Sequence, residues 1–244
     1  MSSNSFYMKK VGLIILLIGG IFNSCTEQQA LVFTEKNITT QENAIVFINI
    51  PQVEGATPVA QKINRRLQQV VGASLTIDNT DAKVITSLEN QINAFNQAYE
   101  RFKADFPDTG ILWEAQIDGE ILYQSEEIVT VALTVYTNTG GAHGISTISL
   151  VNFHPDTGET LSAKDLFSDM GHFQSVAQLY FKKEIRNSES DYFDAASFVL
   201  PENIGYSNEG ILLLYNVYEI APYTSGITEV TVPFETIEDI LIYH

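Results

Sequence analysis

The 244 residues hold one cysteine, one tryptophan and only 13 basic side chains. With Cys25 as the single cysteine, no disulfide can form within the chain, and the fold must be held by its core. The 13 Lys and Arg face 30 Asp and Glu, a formal charge of −17. Such a chain repels phosphate backbones and anionic headgroups, which excludes nucleic acid as a partner and favours cationic proteins or divalent cations. The acids are dispersed rather than gathered in one block, so they do not mark a disordered acidic tail. The longest apolar run, Val11 to Phe22, is shorter than the roughly 20 residues that a membrane-crossing helix needs. A G-x-S-x-G elbow is missing. The four histidines, His143, His154, His172 and His244, include no i, i+4 pair, whereas zinc needs three or four converging ligands. The acids of "HPDTGET" lack EF-hand spacing and read as turn chemistry. The expectation is a chain with no catalytic residue, no metal and no cofactor.

Lys9 and Lys10 precede the apolar run, which ends at Asn23, Ser24 and Cys25. That is the shape of a secretory signal. A small residue before a cysteine resembles the lipobox of bacterial lipoproteins, although Phe22 stands where leucine is usual. Cys25 is then the acylated first residue of the mature chain, anchored to the membrane by lipid rather than by a spanning helix. Loss of the signal removes two lysines and no acid, so the mature chain is more acidic still. The expected organisation is a signal peptide at 1–24, a tether at 25–42, and α+β domains at 43–122 and 123–244. The expected location is the bacterial cell envelope, periplasmic or outer surface.

Periodicity supports the α+β class, with helices packed on a mostly antiparallel sheet in two small subdomains. An apolar run from Ala44 to Ile50, stopped by Pro51, predicts a strand. Thr57-Pro58 opens a helix that Gly72 is expected to end. A second helix is expected from about Ala82 to Phe106, with Ile85, Leu88, Ile92, Phe95, Tyr99, Phe102 and Phe106 on one stripe. From Ile111 the period becomes two. A hairpin is expected around Asp118-Gly119, then strands over Ile128 to Asn138 and Ile145 to Phe153. Further on come a helix over Gly171 to Ile185, a polar loop at 186–197, three strands, and a short closing helix from Pro233 to Tyr243.

The second half carries ordered motifs: Gly140, Gly141, Ala142 and His143; Thr157 and Gly158; Asp165, Leu166 and Phe167; then Tyr218, Glu219, Ile220, Pro222, Tyr223 and Gly226. Over about residues 125–242 these resemble a bacterial domain of unknown function. That domain belongs to the extracellular region of RsiV-type, lysozyme-sensing anti-sigma factors and precedes the catalytic domain of PdaC-type peptidoglycan deacetylases. Residues 40–120 are similar to the partner domain that usually comes before it. No segment reads as sigma-binding or as a deacetylase. The resemblance therefore implies an envelope binding or sensing module, its ligand a basic protein such as lysozyme or a peptidoglycan fragment. An accessory factor for cell-wall hydrolysis or deacetylation is one alternative. An enzyme with its site near His143 is another.

The loop in "YTNTGGAHGIST" joins two alternating strands. Gly140 and Gly141 can take positive φ and admit a second backbone. His143 is the titratable group there. It either fixes the loop by bonding carbonyls or meets a ligand, together with Tyr218 and Tyr223 if the two motifs converge. Ser146 lies near His143 in sequence, and His143 and His154 are expected to meet only if paired strands bring them together. Glu114, Asp118 and Glu120 flank the expected hairpin, where carboxylates usually face water; Trp113 reads as core. Replacing Cys25 by Ser is expected to abolish incorporation of labelled palmitate and move the chain to the soluble fraction. Labelled, membrane-bound Cys25→Ser protein would exclude this anchor.

Overall fold

Residues 30–40, 45–77 and 87–244 are described by the computed structural model. The signal segment and Cys25 lie outside them, as do Ala82 and Ile85 of the second expected helix. The fold is α+β. Strands β1 (Phe33–Thr39), β2 (Val46–Val53), β3 (Glu114–Gln124), β4 (Val129–Asn138), β5 (Ile145–Phe153) and β6 (Thr160–Leu161) form one sheet in sequence order. Every pairing is antiparallel except β2 with β3. The crossover between those two carries helices α1 (Pro58–Ser74) and α2 (Leu88–Asp105). Among the described residues no helix is long and apolar enough to cross a membrane.

Local chemistry explains where the helices start. Thr57 Oγ1 accepts from the Ala60 amide at 3.1 Å with Pro58 in the first turn, and Ser87 Oγ accepts from Asn90 at 3.3 Å. Helix α1 buries Ile63, Leu67 and Val71; α2 buries Ile92, Phe95 and Tyr99. Gly72 does not end α1. It is buried within the helix, and a Cβ there would overlap the Gln91 side chain of α2, so glycine serves close approach rather than termination. Phe106 is not core but 58% exposed.

Four other expectations are corrected. The segment read as tether contains β1, because Phe33 and Ile38 have apolar surface to pack against the core. Pro51 lies inside β2. Glu54 N–H donates to Val32 O, so even-numbered amides face β1 and odd-numbered ones face β3, whose pairing stops at Asn49. Proline there costs the sheet no ladder donor. No hairpin turns at Asp118-Gly119, and β3 runs straight through both. A Cβ on Gly119 would sit 2.6 Å from Pro51 Cδ and 2.9 Å from Leu133 Cδ2, so this glycine makes room for the proline. The division at 122/123 cuts the β3–β4 pair, which runs from Glu114↔Asn138 to Gln124↔Val129.

The second half builds its own core. Helices α3 (Ala163–Leu166) and α4 (Met170–Ile185) pack with strands β7 (Asn203–Tyr206), β8 (Gly210–Tyr215) and β9 (Thr228–Pro233), which form a separate antiparallel sheet. Leu166, Phe173, Ile211 and Val232 are fully buried there. The first of the three expected strands does not follow the 186–197 loop directly but starts at Asn203, and the closing helix is a 3₁₀ turn at Phe234–Thr236 followed by further turns. Burial pushes the hydroxyls of Tyr206 and Tyr215 above their ordinary pKa, and each donates to a backbone carbonyl, of Tyr243 and Val199 respectively.

Side-chain amides join the two sheets. Asn216 takes the Ile148 N–H at 2.7 Å and returns its own N–H to Ile148 O at 2.9 Å. Asn203 Oδ1 accepts from Leu150 N at 2.9 Å. Asn152 donates to Ile204 O at 2.8 Å, while Thr130 Oγ1 donates to Asn152 Oδ1 and accepts from Tyr206 N. Thr130 and Asn152 are both buried and both satisfied, as such groups must be. Asn216→Ala is expected to lower stability by about 2 kcal/mol, two bonds at about 1 kcal/mol each, read from the urea midpoint. Asn216→Asp keeps the acceptor but sets a carboxylate oxygen against the Ile148 carbonyl, so it should fall at least as far.

Candidate functional site

The loop between β4 and β5 rests on an aromatic cluster. Gly140 has φ +91° and donates its N–H to Asn138 Oδ1 at 3.1 Å. A Cβ on Gly140 would sit 3.1 Å from Ile111 Cγ2 and 3.6 Å from both Phe102 Cζ and Trp113 Nε1. Trp113 is the hub of that cluster, buried with Phe95, Phe102 and Tyr99 at ring-centroid distances of 5.6, 5.4 and 5.9 Å. It is core, as its sequence context implied. Gly141 has neither positive φ nor a close neighbour, so only the first glycine of the pair is required by conformation. Gly144 is required by space, since a Cβ there would strike the Tyr136 ring.

The structure brings the two sequence motifs together. The exposed His143 ring stacks on Tyr223, centroids 4.0 Å apart and planes 24° apart. Tyr223 donates its hydroxyl to Gly144 O at 3.1 Å, and His143 Nδ1 lies 3.1 Å from the same oxygen. Tyr218 lies 5.9 Å from Tyr223 and is 53% exposed. Its φ of +69° makes it the only non-glycine residue at positive φ among the described residues. A bulky side chain in that region is strained, and such strain gathers at functional positions.

Glu219, a residue of the motif, and Asn216, which the sequence reading did not single out, hold this turn. Glu219 accepts the Asn216 N–H at 2.9 Å and the Glu202 N–H at 3.2 Å. Asn216 takes the Glu219 N–H on its carbonyl at 3.1 Å while its side chain grips Ile148. The signal was present as an Asn and a Glu three apart, the spacing of reciprocal capping. Beside the Pro222–Ser225 turn lies a recess of about 460 Å³, walled by Asp191, Tyr192 and Phe193. The 186–197 loop is held there by Ser225 Oγ donating to Asp191 O and by Phe193 N donating to Ile220 O.

The remaining motif residues shape turns or fill the core. Gly158 has φ +67°, and a Cβ would lie 2.9 Å from Val59 O of α1; beside it Glu159 pairs with Lys62. Asp165 accepts from the Ser162 N–H and hydroxyl in a capping box, and those bonds lower its pKa. Leu166 and Phe167 are buried. His143 and His154 lie beyond opposite ends of β5, about 25 Å or more of strand apart, and do not meet. Glu114 and Asp118 lie along β3 rather than at a hairpin, and Gln116 donates to Asp118. Among the described residues no three His, Cys, Asp or Glu gather as metal ligands.

The family described as deacetylase PdaC matches residues 38–146, and the protein of unknown function DUF3298 matches residues 164–235. The chain carries both domains. His143 falls in the PdaC match, and Tyr218 and Tyr223 fall in the DUF3298 match, so the stacked pair joins the two. No curated protein matches in sequence. Solved structures share the fold, two of them DUF3298 family proteins. A DUF3298 family member from Bacteroides fragilis has 17% identity and a TM-score of 0.64, covering 88% of this chain and 94% of that one. A DUF3298 family protein from Pseudomonas aeruginosa has 20% identity and a TM-score of 0.60, covering 88% and 95%.

Strain at Tyr218 gives a direct check. Tyr218→Gly is expected to match or exceed the native chain in thermal stability, by up to about 1 kcal/mol, because glycine accepts φ +69° without a Cβ clash. A clear loss of stability would show that the ring, not the backbone, holds the turn.

Proposed function

We propose that this chain is an envelope-anchored, non-catalytic binding or sensing lipoprotein that engages a cationic muramidase or a cell-wall fragment through His143, Tyr218 and Tyr223. One observation carries the reading: two motifs about 75 residues apart meet as an exposed aromatic ledge, with one tyrosine held at positive φ. Rigid aromatic side chains give large contact area at low entropic cost, which is why they anchor interfaces. Cationic ligands suit the charge of −17, and long-range attraction would speed their encounter. Lipid attachment at Cys25 would keep the ledge at the membrane surface.

The test is calorimetric titration of residues 30–244 with lysozyme at low and high salt, with a second basic protein of similar charge as control. Expected is binding that survives high salt, is absent from the control and weakens at least tenfold in Tyr223→Ala, as loss of a central aromatic anchor does. Weak binding shared by both proteins and abolished by salt would mean only that opposite charges attract. Cell-wall fragments would then be titrated in place of lysozyme. The deacetylase named in the first family match favours one second reading, an accessory role in cell-wall deacetylation. Stimulation of acetate release from peptidoglycan by an added deacetylase would support it.

A further inference from the structure

A second concavity lies in the other half of the molecule. A groove of about 1170 Å³ runs between β1 and α2, walled on the helix side from Ser87 to Ala104. That stretch of helix is about 25 Å long, so the groove is elongated rather than a pit. We infer that it binds a neutral oligosaccharide chain.

Three features carry the inference. The first is charge. In a chain of −17, the groove sets Lys36 and Arg101 against Glu89 and Glu100, so it favours neither sign. The second is its amides. Gln68, Asn93, Asn96 and Gln97 line it, and an amide both donates and accepts, as a sugar hydroxyl does. Ile38, partly buried at the wall, adds apolar surface suited to the C–H face of a sugar ring, while Leu88 and Ile92 are buried beneath the groove. The third is an unmet acceptor. Asn96 Oδ1 is buried with no hydrogen-bond partner among the described residues, and a ligand hydroxyl or N–H would satisfy it. A peptide adding to a sheet edge is held chiefly by main-chain bonds. Here Asn93, Asn96 and Gln97 stand at helical spacing on α2, with Gln68 of α1 beside them, which favours a ligand whose own hydrogen-bonding groups project from rings.

This inference is independent of the reading of Tyr218 and Tyr223. Its test is titration of the full detergent-solubilised chain with chitotetraose and cellotetraose, and separately with an uncharged Ser/Ala octapeptide. Asn93 and Gln97 are exposed, so Asn93→Ala/Gln97→Ala should keep the fold, with its urea midpoint as the check. Expected is saturable binding of at least one sugar, about tenfold weaker in the double variant through two lost hydrogen bonds. Tyr223→Ala should leave sugar binding unchanged while lowering lysozyme binding, so the two readings fail separately. Saturation by neither sugar, equal affinity in the double variant, or preference for the peptide would overturn the assignment.

Discussion

The open edge of β5 is the constraint on which the rest of the molecule depends. Beyond its short pairing with β6, that edge would present bare N–H and C=O groups to water, or to another chain. No strand covers it. Asn216 and Asn203 do so with side-chain amides, while Thr130 and Asn152 carry the same network into the buried layer between the sheets. Gly205 permits the approach, since a Cβ there would lie 2.8 Å from Thr130 Cγ2. The two halves are thus joined by hydrogen bonds of defined register rather than by apolar contact alone, and register is what aligns the His143 loop with the Tyr223 turn.

Asn216 links that seam to the candidate site. Its side chain fixes β5, and its backbone and the Glu219 carboxylate form the turn that holds Tyr218 at positive φ. The strain is sustained because the surrounding bonds leave the turn little alternative. Gly140 acts from the other side, letting the loop sit down on the Trp113 cluster. Both partners of the ledge are therefore preorganised by residues that need not touch a ligand.

Much of the fold was legible in the sequence. Thr57-Pro58 located α1, the apolar stripe located most of α2, and period-two alternation located β4 and β5. Errors arose where a residue served packing rather than local conformation. Pro51, Gly72 and Gly119 all read as breaks, yet each lies inside an element because of what its neighbour does: Gln91 crosses Gly72, and Pro51 lies against Gly119. No local pattern encodes such pairings. Of the candidate site, the meeting of the His143 loop with the Tyr223 turn was readable from ordered motifs. The roles of Asn216 and Gly144 were not, because they depend on contacts to Ile148 and Tyr223, some 70 to 80 residues away.

The amide seam also bears on biogenesis. A chain emerging N-terminus first completes β5 at Phe153, but Asn203 and Asn216 follow only some 50 and 60 residues later. In that interval the first sheet has its helices and much of its core, yet one flank remains able to pair with any passing strand. The nascent molecule is thus most vulnerable to aggregation after its first sheet has folded, and its last quarter acts as a built-in cover for that sheet's open flank.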